Sequence, residues 1–182
     1  MREAISVSSD EYFYTVGGGY NGQKGIGILN IEKYVRMFGF GSLTGIDLSG
    51  EKSGSVPSPE WKKEVFQEDW RLGDTYNTSI GQYGFQTTPI QAVRATAVFA
   101  NGGTLVTPTV LFNNPKKTAV GVVQFSENDH RIILDGMRMA VLSGIAKGLN
   151  MPGISVAAKT GTAELGITKA FVNSWVTGFF PY

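Results

Sequence analysis

The chain has 182 residues, 42% of them apolar and 17% charged, with a formal net charge of +1. That composition suits a folded globular chain rather than a disordered one, and so small a charge leaves no basic footprint for nucleic acid. With no cysteine and a single histidine, His130, the chain excludes disulfides, a cysteine nucleophile, thiolate metal sites and multi-histidine metal centres. No metal or cofactor is expected.

The residues "DEYFYTVGGGY", Asp10 to Tyr20, are predicted to form a short aromatic helix capped by Asp10 and ended by glycines. A second helix is expected from Asn30 to Phe38, with Asn30 as its cap and Gly39 as its stop. The stretch "GFGSLTGIDLSGEKSGSVPSP" is dense in Gly, Ser and Pro and reads as loop. A short helix is predicted over Pro59–Phe66. From Thr88 the signal sharpens: Thr88 caps, Pro89 takes the first helical position, and Gln91 closes a capping box. Gly102 ends that helix.

Two short strands are expected near Thr104–Leu111 and Ala119–Phe125. Ser126 then caps a long helix reaching about Lys147, with Ile133, Met137 and Ala140 on one face. Ile154–Ala163 and Phe171–Phe180, joined by "ELGITK", read as an antiparallel hairpin. The second run is apolar on both faces, Val172 and Val176 on one and Phe171, Trp175 and Phe179 on the other. That pattern predicts an inner strand covered on both sides. The chain also ends on this apolar, strand-like run, so a piece of a larger domain is expected.

The stretch "AAKTGTAELG", Ala157 to Gly166, carries the most chemistry. If it is a strand, side chains alternate and Lys159 shares a face with Gly161. A cation beside a bare glycine makes a flat, positive surface on which an extended substrate can lie. Thr160 and Thr162 add hydroxyls suited to a carboxylate, and the Thr162 N–H could stabilise an oxyanion. On these residues alone, a solvated lysine before a strand-end turn is the better explanation, since such a triplet is common by chance. Ser8-Ser9-Asp10, a serine–any–aspartate triplet, is likewise no more than a helix cap when taken alone.

The two together have a known context. K-T-G accompanies S-x-x-K and S-D-N motifs in penicillin-binding proteins and class A β-lactamases. The block "WRLGDTYNTSIGQYGFQTTPIQAVRATAVFANGG", Trp70 to Gly103, resembles the stretch that class B penicillin-binding proteins carry between those motifs. "KTGTA" followed by "SWVTGFFP" fits the same pattern, and order and separations agree over nearly the whole chain. The chain therefore resembles the later part of a D,D-transpeptidase domain. The aspartate of Ser8-Ser9-Asp10, the adjoining "YFY" and the later "TGIDL" resemble the elongation-type branch, that of penicillin-binding protein 2. Two departures stand out: Ser9-Asp10-Glu11 offers an alternative register, and Tyr83 separates Gln82 from Gly84 where the family has glycine directly after glutamine.

The resemblance implies a mixed α/β (α+β) fold, β-lactamase/transpeptidase-like. An antiparallel sheet flanked by helices would join a mainly helical subdomain, truncated at both ends. Residues 1–103 would be the helical part and 104–182 the sheet-forming part. It implies cross-linking of peptidoglycan stem peptides through a serine acyl-enzyme that β-lactams trap. Ser8 would relay protons to Lys159, and Asp10 would support that network. Lys159 would attract the substrate carboxylate, Thr160, Gly161 and Thr162 would bind substrate, and Thr162 N–H would supply half of the oxyanion hole. The implied partners are the D-Ala-D-Ala stem peptide, β-lactams, a cell-wall glycosyltransferase and elongation-complex proteins. The implied location is outside the membrane, anchored to it.

The nucleophile is the gap. S-x-x-K occurs once, at Ser49–Lys52, after the second motif and between glycines that disfavour a helix. A non-catalytic module that binds peptidoglycan or protein partners therefore stays open, as does, less favoured, a serine β-lactamase. His130 is expected at the surface, Glu64, Glu68 and Asp69 on a solvated face, Trp61 and Trp70 as packing anchors, and Asp74 and Asn77 as loop-ordering residues.

Overall fold

A computed structural model describes residues 1–112, 119–166 and 170–182. In chain order the elements are α1 (Arg2–Val7), α2 (Asp10–Gly18), β1 (Gly19–Tyr20), β2 (Gln23–Lys24), α3 (Ile28–Met37), α4 (Pro59–Phe66), α5 (Leu72–Ser79), α6 (Pro89–Ala100), β3 (Thr104–Val106), β4 (Ala119–Val122), α7 (Glu127–Leu142), a single 3-10 turn (Lys147–Leu149), β5 (Ala157–Leu165) and β6 (Phe171–Phe179). The fold is mixed α/β, but the described strands form three two-stranded antiparallel ribbons rather than one sheet. Residues 167–169, within the expected connection between the last two strands, lie outside the described residues.

Local chemistry accounts for most boundaries. Thr88 and Gln91 exchange both bonds of the expected capping box, and Ser126 Oγ accepts from Asp129 N at 3.0 Å to start α7. Ser58 caps α4, with Pro59 at the first helical position. Other expectations need correction. Ser9, not Asp10, caps α2, accepting from Tyr12 N at 3.2 Å. Asn30 lies inside α3, where its side-chain amide donates to Ile26 O and Gly27 sits at the cap. α7 stops at Leu142, short of Lys147. α1 and α5 carry no strong periodic signal and are stabilised by contacts made elsewhere in the chain.

α1 is held on α7 by close approach. A Cβ on Gly144 would stand 2.2 Å from Ser6 O, and one on Gly136 would stand 2.9 Å from Ile5 Cβ. Only glycine permits that spacing. Ile145 N donates to Ser6 O, and Arg2 pairs with Asp135 at 2.7 Å. On the inner side of α7, Ala140, Val141, Ala146, Val156 and Ala158 form one buried cluster, and Met137 joins Ile5 and Ala157 in a second. These clusters place β5 against α7 and α1, which brings the K-T-G strand beside the start of α2. A third cluster, Val98, Leu105 and Val123, ties α6 to the β3–β4 ribbon.

β6 is not the doubly covered inner strand that its composition predicts. It pairs with β5 from Ala157↔Phe179 to Leu165↔Phe171, and among the described residues no strand pairs with its other edge. Phe171 is 75% exposed, Val172 54% and Val176 58%. Apolar alternation reports that a face favours burial, and here the described residues cover only part of it.

His130 also departs from expectation. It is half-buried, its ring stacks on Phe125 at 5.3 Å and 8°, and its Nε2–H donates to Phe99 O. Trp61 and Trp70 do pack as expected, edge-on to Tyr83 at 5.7 and 5.9 Å. Lys63 meets Asp69 at 2.9 Å on the solvated acidic face.

Candidate active site

α1 ends and α2 begins with only Ser8 and Ser9 between the first helix's last residue and the second's first. So sharp a reversal needs a left-handed residue, and Ser8 supplies it at φ 54°, ψ 54°. Non-glycine residues rarely adopt this conformation, and it concentrates at functional sites. The turn divides the two serines. Ser9 is consumed as the cap of α2. Ser8 points at β5, where Lys159 Nζ donates to its Oγ at 2.7 Å across 151 residues of chain.

Lys159 also donates to Thr160 O at 2.6 Å. Burial pushes its ammonium below the range of a free lysine, and the negative charge of Asp10 offsets this in part. The group is thus a desolvated cation held by two neutral acceptors, with its field projected into the open space beyond.

That space is a cleft of about 700 Å³. Ser8, Asp10, Lys159, Thr160, Gly161 and Thr162 all line it, so the chain brings all six sequence-predicted residues together. Facing them are Asn77, Ser79, Ile80 and Gln82, from the end of α5 and the loop after it. From the sequence, Asn77 is expected to order the loop. Its amide does donate to Gly73 O at 3.0 Å, yet its side of α5 also walls the cleft. Ser79 and Gln82 lie inside the block that carried the resemblance, which is the signal that could have flagged them. By contrast, Ser49 and Lys52 are exposed in the loop between α3 and α4.

A Cβ built on Gly161 would meet only Trp175 Cβ, at 3.5 Å, an ordinary contact. The backbone therefore tolerates a side chain there, and the glycine serves the open floor of the cleft rather than the fold. We expect Gly161→Ala in the full-length protein to leave the melting temperature within about two degrees, since surface changes of this kind stay within about 0.5 kcal/mol. Thermal melts of the unaltered protein and the variant check this.

The cleft's far wall is fixed by a buried cation. Lys62 Nζ meets Asp74 Oδ2 at 2.7 Å, and the same carboxylate accepts from Arg71 N at the start of α5. Asp74 thus orders this segment as expected, and its carboxyl is held below the usual range by Lys62 and the Arg71 N–H against the opposing effect of burial. The insertion at Tyr83 has a structural answer. Tyr83 itself takes the left-handed conformation, φ 60°, that a glycine would occupy more easily. Its ring, packed by Trp61 and Trp70 and lying 5.7 Å from Lys62 Nζ, offsets the cost.

Among the described residues no cluster of acidic or histidine side chains could hold a metal, and no helix is long and apolar enough to cross a membrane.

Comparison with known proteins assigns this arrangement. The family model for the penicillin binding protein transpeptidase domain matches residues 1–182. Peptidoglycan D,D-transpeptidase MrdA of Acinetobacter baumannii is 37% identical over 174 residues, 91% of this chain and 25% of that protein. The structure of penicillin-binding protein 2 from Helicobacter pylori superposes with a TM-score of 0.84 at 35% identity, covering 99% of this chain and 33% of that one. The same protein in complex with MreC superposes with a TM-score of 0.83 at 35% identity, over 100% of this chain and 33% of that one. The chain thus spans about a quarter to a third of its relatives' length. With a family match over its whole length and a serine–lysine pair at the heart of its cleft, the chain belongs to the penicillin-binding protein transpeptidase family, alongside MrdA and penicillin-binding protein 2.

Proposed function

We propose that this chain forms the substrate-binding side of a peptidoglycan D,D-transpeptidase, in which a serine supplied by the rest of the protein is the nucleophile. The observation that carries the reading is the contact between Lys159 and Ser8, set in a cleft walled by the K-T-G strand. In the first half-reaction the serine Oγ bonds to the carbonyl carbon of the penultimate D-alanine of one stem. The peptide C–N bond breaks, and the serine's proton reaches the departing amine of the terminal D-alanine. In the second, an amine of another stem bonds that carbon, the ester C–O bond breaks, and a proton returns to the serine.

Each residue's part follows from its chemistry. Ser8, bridged to Lys159, passes the proton in both directions. Asp10 balances the lysine's charge. Lys159 stays cationic and draws the stem's terminal carboxylate, and the Thr160 and Thr162 hydroxyls fix it. The Thr162 N–H is half of the oxyanion site.

A second cavity supports the position of the nucleophile. About 460 Å³ of space lies between α1, α2, α3, α6, α7 and the β5–β6 ribbon. Its walls include Ile5, Phe13, Phe38, Phe99 and Met137, with Lys159 at the rim. An apolar helix from elsewhere in the full-length protein would fill this space and bring a serine at its end to Lys159. The same segment set would extend the exposed β6 edge into a larger antiparallel sheet flanked by helices. A membrane anchor, a glycosyltransferase partner and an MreC-type partner belong to the same proposal for the whole protein.

The test is covalent labelling. Full-length protein incubated with a fluorescent penicillin should form a stable one-to-one adduct on a serine outside residues 1–182, located by peptide mass mapping. Residues 1–182 alone should form none. An adduct on Ser49, or no adduct in the full-length protein, would refute the assignment.

A further inference from the structure

Past Tyr14 the cleft adjoins a separate cavity of about 410 Å³, whose lining is Glu11, Tyr14, Thr15, Gly19, Tyr20 and Tyr76. Tyr14 is the shared wall of the two spaces. This cavity is built rather than incidental. The Tyr76 ring lies against bare backbone, since a Cβ on Gly18 would stand 2.2 Å from Tyr76 Cε1. Its hydroxyl donates to Gly19 O at 2.8 Å. The Tyr14 and Tyr76 rings sit 5.9 Å apart, tilted by 58°. Two aromatic walls are thereby fixed, and Tyr20, 71% exposed, stands at the rim.

The charge in this cavity is acidic. Glu11 lies in the first turn of α2 and has no ion-pair partner among the described residues. Asp10, next to it in the chain, lines the cleft proper together with Lys159 and Glu164. The two adjoining spaces share Tyr14 but differ in charge: the cleft sets a cation among its carboxylates, whereas the lining of the tyrosine cavity holds Glu11 and no cation. A ligand carboxylate is drawn to Lys159 and repelled from Glu11. A carboxylate among tyrosine faces is the chemistry that selects an ammonium, through ionic attraction and the negative faces of the rings.

We propose that this tyrosine–glutamate cavity is the acceptor subsite, taking a flexible peptide side chain that ends in a primary ammonium. The inference rests on the transpeptidase reading and adds to it where the second substrate enters. The ammonium docks at Glu11 between the rings. Once it gives its proton to water, the attraction to Glu11 ends and the neutral amine moves past Tyr14 to the acyl-enzyme. There its nitrogen bonds the acyl carbon, the ester C–O bond breaks, and the nitrogen's second proton returns to the serine oxygen. A site of this volume, within the range of ordinary ligand pockets, takes one side chain and excludes a second folded peptide.

The test uses full-length protein and its Glu11→Gln and Tyr20→Ala variants, both altered at exposed positions. A D-alanyl thioester serves as donor. The acceptors are a short peptide with a lysine side chain and hydroxylamine, a small uncharged nucleophile. We expect the KM for the lysyl peptide to rise about tenfold in each variant, the scale of losing one charge or one ring face around a cation. Aminolysis by hydroxylamine and acylation by penicillin should stay within twofold. An unchanged KM for the lysyl peptide, or an equal loss with both acceptors, overturns the acceptor site while leaving the transpeptidase reading in place. Failure of the unaltered protein to be acylated at all would overturn that reading itself.

Discussion

Lys159→Met in the full-length protein should slow acylation by penicillin by about 10²–10³-fold, the usual cost of removing one preorganised electrostatic contact, while leaving the fold as stable as before or more so. The two halves have one cause. Lys159 is a half-buried cation whose hydrogen bonds go to a hydroxyl and a carbonyl, not to a carboxylate. Burial disfavours its charge, and Asp10 restores only part of the loss. An apolar side chain of similar length removes the desolvation cost together with the field that the reaction uses.

The pH dependence follows with a definite sign. Between the depressed value of Lys159 in the fold and that of a free lysine, the unfolded chain holds the extra proton. Stability therefore rises with pH across that window and falls again as the pH drops through the folded value. Lys159→Met should remove that slope from melts recorded at alkaline pH. The unaltered enzyme should also lose acylation at a lower pH than a free lysine would dictate. A melting temperature several degrees lower in the variant would show instead that the amine holds the structure together.

Gln91→Leu should be the most damaging of the conservative-volume core changes. Gln91 is 1% exposed and uses both ends of its amide. Its Nε2 donates to Ser42 O at 2.8 Å and Ser53 O at 2.7 Å, and its Oε1 accepts from Thr88 N at 2.9 Å. One side chain thus closes the α6 cap and clamps both ends of the 42–53 loop. Leucine fills the same space and leaves those partners orphaned. Ser42 and Ser53 are exposed enough for water to compensate in part, so the expected loss is about 2–4 kcal/mol, rather than the full penalty of three buried orphans. Thermal melts of the full-length protein measure it, with Gln91→Glu as a comparison that keeps the acceptor for Thr88 N but loses the donor to both carbonyls. If leucine is tolerated within a degree, the clamp has no energetic weight.

Gln91 marks the limit of what local sequence reveals. Its capping-box role was legible because Thr88 and Gln91 are three residues apart on one nascent turn. Its bonds to Ser42 and Ser53 cross 49 and 38 residues and leave no periodic trace. The same distinction explains the departures. The helix that carries His130 predicts only a surface position, whereas Phe99 and Phe125, which cover it, come from other elements. Aspartate is a good cap, so Asp10 reads as one, but the left-handed turn at Ser8 gives that task to Ser9.

What the sequence by itself determined was local or patterned: the caps at Thr88 and Ser126, the long amphipathic α7, the terminal hairpin, and a motif order that identified the family. Those features depend on residues within a turn or two of each other, or on the linear order of short motifs. Only the tertiary structure decided how Ser8 is carried to Lys159, that a tyrosine could stand where the loop favours glycine, and that β6 lies largely open. Each of those outcomes is set by packing between segments far apart in the chain. Glycines on α7 and beyond it let α1 approach closely enough to carry Ser8 to the K-T-G strand, and no window of sequence contains both sides of that contact.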